Sequence, residues 1–230
     1  MMLLERIHKL INLNDRDKFN LSGESDIKKS NIELISQSGK IYFLLGGTRS
    51  GKSEYAEQFA TSCSEKVAYL ATAAITDEEM EKRVQQHKKR RSLSWRTFEI
   101  ESENIDLPLM GEIVEKINAS GCEVLLVDCI TNLLFRLAYK YDLENLELID
   151  NKLEKIIENE IASFFDNFLK LLKSARFDSI VVSNEVGLGI VPSYPFGRIF
   201  RDLMGVVNKK MAAAADEVYF FVAGLKQKLK

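Results

Sequence analysis

Short apolar runs alternate with amphipathic stretches along most of the chain. Runs such as IYFLL at Ile41–Leu45 and SIVVSN at Ser179–Asn184 are largely hydrophobic. This pattern indicates buried parallel strands, whose two faces are both covered. The predicted strands are Ile41–Leu45, Val67–Thr72, Trp95–Ile100, Glu123–Cys129, Ser179–Asn184 and Glu217–Ala223, with the final segment Gly224–Leu229 as a candidate edge strand.

Helical periodicity fills the segments between these strands. One of them, Asp77–Arg90, has acidic residues at its start and basic residues at its end, as the helix dipole favours. Strands that alternate with helices predict an α/β fold with a mostly parallel sheet and helices on both faces. Ligands of such sheets bind beyond the carboxyl ends of the strands. The predicted helices are Lys52–Ser62, Asp77–Arg90, Met110–Ala119, Leu146–Ser174 and Phe196–Ala215.

The first 39 residues do not share this regular pattern. Apolar residues at helical spacing in the first eleven positions favour a short amphipathic helix, and the following segment is polar with few apolar anchors. Residues 1–39 are therefore interpreted as a loosely ordered leader, and residues 40–230 as one domain.

Composition excludes several classes of protein. The net charge of −2 supplies no basic field for nucleic acid or an anionic membrane. No apolar run approaches the ~18 residues of a membrane helix, and the amino-terminal apolar run is too short for a signal peptide. The three cysteines form no CxxC pair, which is typical of reduced thiols in a cytoplasmic protein.

The sequence GGTRSGKS, directly after the first predicted strand, matches the P-loop pattern GxxxxGK[ST]. The context is also the required one, because a helix is predicted to follow. In a P-loop, backbone N–H groups hold phosphate oxygens, Lys52 reaches the β- and γ-phosphates, and Ser53 is a ligand of Mg²⁺. The predicted phosphate-binding residues are Gly46, Gly47, Thr48, Arg49, Ser50, Gly51, Lys52 and Ser53.

Asp128 is the candidate for the second carboxylate that a P-loop site needs. It ends the apolar run VLLVD, and an acidic residue at the end of a buried strand completes the Mg²⁺ site of many P-loop proteins. The alternative is that Asp128 or Thr131 caps the helix that follows.

His87 is the candidate for chemistry beyond phosphate binding. It shares one face of its predicted helix with Met80 and Val84, and this pattern alone favours a partly buried histidine with a structural role. Basic residues surround it in the sequence, and nearby cations favour the neutral, nucleophilic imidazole. His8, in the leader, is interpreted as a bystander.

Six blocks of sequence, in this order, resemble the bifunctional adenosylcobinamide kinase / adenosylcobinamide-phosphate guanylyltransferase family of cobalamin biosynthesis. The P-loop block is shared with many families, whereas the block around His87 and the SNEVGLGIVP loop are more specific. The blocks are GGTRSGKS (Gly46–Ser53), YLATA (Tyr69–Ala73), DEEMEKRVQQHKKRRSLSWRTFE (Asp77–Glu99), LLVDCITNLLF (Leu125–Phe135), SNEVGLGIVP (Ser183–Pro192) and FRDLMGVVNKKMAAAADEVYFFVAG (Phe200–Gly224).

The resemblance implies two reactions. The first phosphorylates adenosylcobinamide with ATP or GTP. The second transfers GMP from GTP to adenosylcobinamide phosphate, and the family carries GMP on the histidine of the segment RVQQHK, which is His87 here. The resemblance thus reverses the structural interpretation of this histidine.

The resemblance also implies a RecA-like P-loop NTPase fold, a homotrimer, and Mg²⁺ held by Ser53 and Asp128. Besides the P-loop, the implied nucleotide-binding residues are Ala71, Thr72, Ala73, Lys88, Lys89, Arg90, Arg91, Glu99 and Asp128.

Two other functions stay open from the residues alone. One is a P-loop small-molecule kinase without the nucleotidyl-transfer step, in which His87 is structural. The other is a nucleotide-gated regulatory protein without chemistry. Asn184 and Glu185, at the end of a predicted strand, are equally well interpreted as substrate or Mg²⁺ contacts and as part of a turn before Gly187.

Overall fold

In the computed structural model, the described residues are 39–73, 78, 84–85, 88, 91–102, 104–139 and 151–230. Seven strands and five continuous helices lie within them. The strands are β1 (Ile41–Gly46), β2 (Val67–Ala71), β3 (Arg96–Glu99), β4 (Val124–Asp128), β5 (Asp178–Asn184), β6 (Glu217–Val222) and β7 (Leu225–Lys228). The helices are α1 (Lys52–Cys63), α2 (Leu107–Ala119), α3 (Ile130–Tyr139), α4 (Asn151–Ser174) and α5 (Pro195–Ala214).

All seven strands form one sheet in the order β3-β2-β4-β5-β1-β6-β7. Every neighbouring pair is parallel except β6 and β7, which are antiparallel. The predicted mostly parallel sheet is confirmed, and so is the edge strand at the end of the chain. The P-loop strand β1 lies near the centre, between β5 and β6.

Helices cover both faces of the sheet, as predicted. Alternate side chains of β1 point to opposite faces: Tyr42 and Leu44 pack with α1, whereas Ile41 and Phe43 pack in the core that α2 to α5 cover. Because both faces of the central strands are buried, their sequences are apolar at nearly every position.

Most predicted bounds agree with the structure to within one or two residues. Helix α2 begins earlier than predicted, at Leu107, because Asp106 accepts a hydrogen bond from the Leu109 N–H and so caps it. Helix α3 was expected only as the helix that Asp128 or Thr131 would cap, without bounds; its apolar residues recur at helical spacing and face the core: Ile130, Leu133, Leu134 and Leu137.

Some predictions fall outside the described residues. These are the leader up to residue 38, the start of the helix predicted from Leu146, and much of Asp77–Arg90, with His87, Lys89 and Arg90 among them. Four described positions of that last segment are helical, at residues 78, 84, 85 and 88. Within the part of the chain that the structure describes, no helix has the length and apolar character to cross a membrane.

Candidate nucleotide-binding site

A cavity of about 720 Å³ opens at the carboxyl ends of the parallel strands, where the fold class predicts a ligand site. Its volume is in the usual range for small-molecule sites. We call it the strand-end cavity. Its lining residues are Thr48, Arg49, Ser50, Gly51, Lys52, Ser53, Glu54, Tyr69, Ala71, Ala73, Val84, Lys88, Arg91, Glu99, Ile100, Glu101, Asp128, Cys129, Asn132 and Asn184.

The turn between β1 and α1 has the backbone geometry of a phosphate-binding loop. Arg49 and Gly51 have positive φ angles of 58° and 89°, so the chain coils tightly before α1 starts at Lys52. Such a turn directs successive N–H groups into one concavity, and the positive end of the helix dipole adds to the field for anions. The backbone N–H of Gly224, in the β6–β7 turn, donates to the Ser50 carbonyl over 3.1 Å and anchors the loop.

The first two glycines of the motif do not line the strand-end cavity themselves. A Cβ atom on Gly46 would lie 2.6 Å from the carbonyl oxygen of Phe221 and 2.8 Å from Ser50 Oγ, so only glycine fits without a shift. Gly47 has open space around its Cα, and its carbonyl accepts a hydrogen bond of 3.0 Å from Lys52 Nζ.

Lys52 is a buried cation at the floor of the strand-end cavity, with 6% of its surface exposed. Burial lowers the pKa of this amine, while the neighbouring Cys129 and Asp128 act in the opposite direction. The amine is therefore poorly solvated and close to an acidic group. An anion such as a phosphate would restore the interactions that burial removes.

The end of β4 brings Asp128 to the wall of the strand-end cavity, as predicted. The Tyr69 hydroxyl donates to the Asp128 backbone carbonyl at 3.3 Å, and the Thr72 hydroxyl donates to the Cys129 carbonyl at 2.8 Å. Thr72 is fully buried and fixes the backbone after Asp128, whereas its neighbours Ala71 and Ala73 line the cavity.

Arg91 forms a cationic wall of the strand-end cavity. Its guanidinium carbon lies 3.2 Å from the centroid of the Tyr69 ring, and its Nε and Nη1 atoms are buried without a hydrogen-bond partner among the described residues. Burial, first, and the Asp128 charge raise the pKa of Tyr69, so the ring stays neutral. Beside Arg91, the Lys88 ammonium forms an exposed ion pair of 3.2 Å with Glu99.

The side-chain oxygen atoms at this edge of the sheet fit a Mg²⁺ ion bound with a nucleotide. Ser53 and Asp128 both line the strand-end cavity and supply a hydroxyl and a carboxylate, the hard oxygen ligands that Mg²⁺ prefers. Among the described residues there is no group of three or more acidic, histidine or cysteine side chains that could hold a metal. Two protein ligands suit Mg²⁺, which keeps several waters and binds through substrate phosphates.

Several lining residues were not predicted as site residues, and a few of them had a signal in the sequence. Asn132 lies in the first turn of the helix that follows Asp128, at the edge where ligands of such sheets bind. Glu101 follows the predicted Glu99 at the strand spacing of two. Tyr69 begins the block YLATA, but its place at the cavity depends on which strands are neighbours. Asn184 does line the strand-end cavity, which favours a substrate contact over the turn interpretation.

Comparison with known proteins agrees with the resemblance seen in the sequence. The family model described as cobinamide kinase / cobinamide phosphate guanyltransferase matches residues 42–229. The chain is 36% identical over 189 residues to the bifunctional adenosylcobalamin biosynthesis protein CobU of Salmonella typhimurium, covering 80% of this chain and 97% of the relative.

Two further proteins are similar. The bifunctional adenosylcobalamin biosynthesis protein CobP of Pseudomonas aeruginosa is 36% identical over 187 residues, covering 81% of this chain and 95% of the relative. The crystal structure of the flagellar accessory protein FlaH from Methanocaldococcus jannaschii has a TM-score of 0.43 at 15% identity and covers 92% of this chain and 86% of that chain.

Proposed function

Because the chain belongs to the cobinamide kinase / cobinamide phosphate guanyltransferase family, we propose that it carries out two successive transfers on adenosylcobinamide. It is a bifunctional enzyme of adenosylcobalamin biosynthesis. The structural observation that supports the proposal is the strand-end cavity, where the P-loop turn, the Asp128 carboxylate and the Arg91 guanidinium meet. Membership in a family of enzymes argues against a regulatory protein without chemistry.

In the first reaction, a hydroxyl oxygen of adenosylcobinamide attacks the γ-phosphorus of ATP or GTP. The bond between this phosphorus and the β–γ bridging oxygen breaks, the nucleoside diphosphate leaves, and the hydroxyl proton passes to solvent. The P-loop N–H groups and Lys52 hold the phosphates and neutralise the charge that grows on the leaving oxygen. Thr48 to Ser53 line the strand-end cavity and would supply these contacts, whereas Asp128, which also lines it, would act on the phosphates through Mg²⁺.

In the second reaction, a neutral imidazole nitrogen of His87 attacks the α-phosphorus of GTP, and pyrophosphate leaves. The resulting phosphoramidate carries GMP until an oxygen of adenosylcobinamide phosphate attacks the same phosphorus and releases the imidazole. Transfer through a neutral carrier lets pyrophosphate leave before the anionic acceptor attacks, so the acceptor phosphate meets one phosphoryl group rather than a whole triphosphate. Lys88 and Arg91 line the strand-end cavity, and Lys89 and Arg90 belong to the same basic segment.

Three further features belong to the proposal. Ser53 and Asp128 would hold Mg²⁺, which would neutralise charge on the phosphate oxygens during transfer. Ala71, Ala73 and Glu99 would contact the nucleotide, and Thr72 would act on it through the backbone that its hydroxyl holds. The enzyme would be cytoplasmic. It would also be a homotrimer, and light scattering on the purified protein would test this oligomeric state.

The test of the two reactions uses the purified full-length protein with adenosylcobinamide, Mg²⁺ and GTP, and identifies products by mass. Both adenosylcobinamide phosphate and adenosylcobinamide-GDP are expected. If only the phosphate forms, the protein is the kinase-only enzyme, and the guanylyl-transfer half of the proposal is wrong.

The test of the carrier uses GTP labelled at the α-phosphorus. Wild-type protein is expected to retain an acid-labile label, and His87→Ala is expected to lose the label while keeping the kinase reaction. The chain offers a matched control in its only other histidine, since His8→Ala should keep both the label and both products. Retention of the label in His87→Ala would show that another residue carries GMP.

A further inference from the structure

Asn184 occupies a central place at the carboxyl edge of the sheet. Its strand, β5, lies between the P-loop strand β1 and the strand β4 that ends in Asp128. Asn184 is the register partner of Gly46, and Asp128 is the register partner of Val182. Because neighbouring strands are about 4.8 Å apart, Asn184 is beside the phosphate-binding turn and one pleat repeat beyond the acidic residue.

Hydrogen bonds fix the backbone of Asn184 on both sides. Its N–H donates to Thr131 Oγ1 of helix α3 at 3.0 Å, and its carbonyl accepts from Asn208 Nδ2 of helix α5 at 3.0 Å. The next N–H along the chain, that of Glu185, donates to the Gly46 carbonyl at 3.0 Å. Two helices and the P-loop strand therefore hold this one peptide segment.

The Asn208 side chain is itself fully engaged in this arrangement. It is buried, with 6% of its surface exposed, and its Oδ1 accepts from the hydroxyl of the fully buried Ser183 at 2.7 Å. A buried carboxamide is costly unless both its ends are paired, and here each end is bound to β5. Substituting Asn208 would leave a backbone or hydroxyl partner unsatisfied.

Asn184 lines the strand-end cavity, together with Asp128 and the P-loop. A carboxamide at this position presents an N–H donor without adding positive charge. The P-loop N–H groups and Lys52 hold the β- and γ-phosphates from the side of β1 and α1. Asn184 is on the β5 side of the same cavity, so a donor there would approach a bound γ-phosphoryl group from a different direction than the P-loop does.

We propose that the Asn184 carboxamide donates a hydrogen bond to the γ-phosphate of the bound nucleoside triphosphate, and that Asn208 and Thr131 are positioning residues that hold it in place. The inference rests on the proposed function only in taking a nucleoside triphosphate as the ligand. During phosphoryl transfer, the carboxamide makes and breaks no covalent bond. It stabilises negative charge on an equatorial oxygen.

The experiment measures binding of two probes, ADP and a β,γ-imido analogue of ATP, to the full-length protein with Mg²⁺ by calorimetry. Asn184→Ala is expected to weaken the triphosphate analogue by about 10- to 100-fold, the size of one hydrogen bond to a charged group, and to leave ADP within about twofold. Equal weakening of both probes, or of neither, would overturn the inference. Since no corrinoid is present, failure here is separate from failure of the two proposed reactions.

The positioning role is tested by Asn208→Asp. This variant keeps an acceptor for Ser183 and replaces the donor to the Asn184 carbonyl by an oxygen. It should weaken binding of the triphosphate analogue relative to ADP, as Asn184→Ala does, but by a smaller factor. If Asn208→Asp does not fold, Thr131→Val removes the acceptor of the Asn184 N–H and should give the same change.

Asn118→Ala is the matched control for these variants. Asn118 accepts a hydrogen bond from the Arg176 backbone N–H at 3.0 Å, near the opposite, amino-terminal edge of β5. Its loss should leave the ratio of the two affinities unchanged. If the control shifts that ratio as much as the Asn208 or Thr131 variant does, or if the foldable variant leaves it unchanged, the positioning role is wrong.

Discussion

The guanidinium of Arg91 lies over the ring of Tyr69, with 3.2 Å between its carbon atom and the ring centroid. Tyr69 is in turn buried in β2 and donates a hydrogen bond to the backbone of Asp128. A stacked guanidinium keeps its N–H groups free in its own plane. The arrangement therefore fixes a planar cation on a rigid strand while its Nε and Nη1 remain without a hydrogen-bond partner among the described residues.

We expect Arg91→Ala to weaken binding of a nucleoside triphosphate by about tenfold or more, because charge-assisted hydrogen bonds to phosphate are lost. Arg91→Lys should recover only part of the affinity, since an ammonium keeps the charge but cannot stack or donate in a plane. Calorimetric titration with GTP would measure both. Arg96→Ala is the control, because Arg96 is exposed at the amino-terminal end of β3, away from the strand-end cavity. There it donates a hydrogen bond to the Ser120 carbonyl.

An Arg91→Lys variant that binds GTP as tightly as the wild type would contradict the role of the planar stack. An Arg96→Ala variant that binds as weakly as Arg91→Ala would show that general charge, rather than position, sets the affinity. Low salt would exaggerate this last effect, so the titrations belong at physiological ionic strength.

The local part of the site could be predicted from the sequence, because strand, glycine turn and helix are consecutive there. The pattern Gly46 to Ser53 specifies its own backbone, and Asp128 is marked by the apolar run that precedes it. The spatial neighbours of these residues could not be predicted in the same way. Asn184 was a candidate contact because it ends a strand, but the position of Tyr69 beside Asp128, and of Asn184 beside the P-loop, depends on the strand order, which the alternation of strands and helices does not determine.

Thr72 shows a second limit of sequence reasoning. The resemblance places it in a three-residue nucleotide-binding segment with Ala71 and Ala73, but a pattern of types does not say which way each side chain points. In β2 and the residues after it, side chains alternate between faces. The Thr72 hydroxyl consequently lies under the cavity wall, bound to the Cys129 carbonyl, while its two neighbours line the cavity.

The two adjacent glycines of the P-loop are expected to respond differently to substitution. Gly46→Ala places a Cβ within 2.6 Å of the Phe221 carbonyl, which forces the β1 end away from β6 and should lower the melting temperature by several degrees. Gly47→Ala meets no atom within 4 Å and should change the melting temperature by about 1 °C at most. Thermal unfolding of the nucleotide-free proteins makes the comparison, and equal shifts in the two variants would contradict the steric argument.

Lys52 is expected to be required for activity although it does not stabilise the fold. Its pKa is lowered by burial, so the charged amine is held at a cost in folding free energy. Lys52→Met keeps the length of the side chain and removes that cost, and the melting temperature should stay the same or rise. Phosphoryl transfer should fall by at least about 100-fold.

Lys66→Met is the matched control for Lys52→Met. Lys66 is exposed, and its ion pair with Glu123, 2.8 Å long, raises its pKa. Removal of such a surface pair should change the melting temperature little and leave catalysis unchanged. A Lys52→Met protein that unfolds at a much lower temperature than Lys66→Met would show that Lys52 has a structural role that the argument misses.

Asp178 should make stability fall as pH rises. Burial, opposed in part by the Lys40 backbone N–H that donates to its carboxylate, raises its pKa from 3.8 to about 6. An acid whose folded-state pKa lies above its unfolded value binds protons more tightly when folded, so stability is lost between pH 3.8 and about 6 and stays low above that window. Asp178→Asn keeps an acceptor for the Lys40 N–H and should therefore stabilise the protein at pH 8 by on the order of 1 kcal/mol, with the gain vanishing near pH 4.

Asp216→Asn is the opposite control. Burial disfavours the charge of Asp216, but Lys173 and the Ile41 N–H hold its pKa below the usual value, so this variant should lose stability at pH 8. Denaturant unfolding at pH 4, 6 and 8 decides the matter, and a gain for Asp178→Asn that is the same at all three would refute the titration of Asp178.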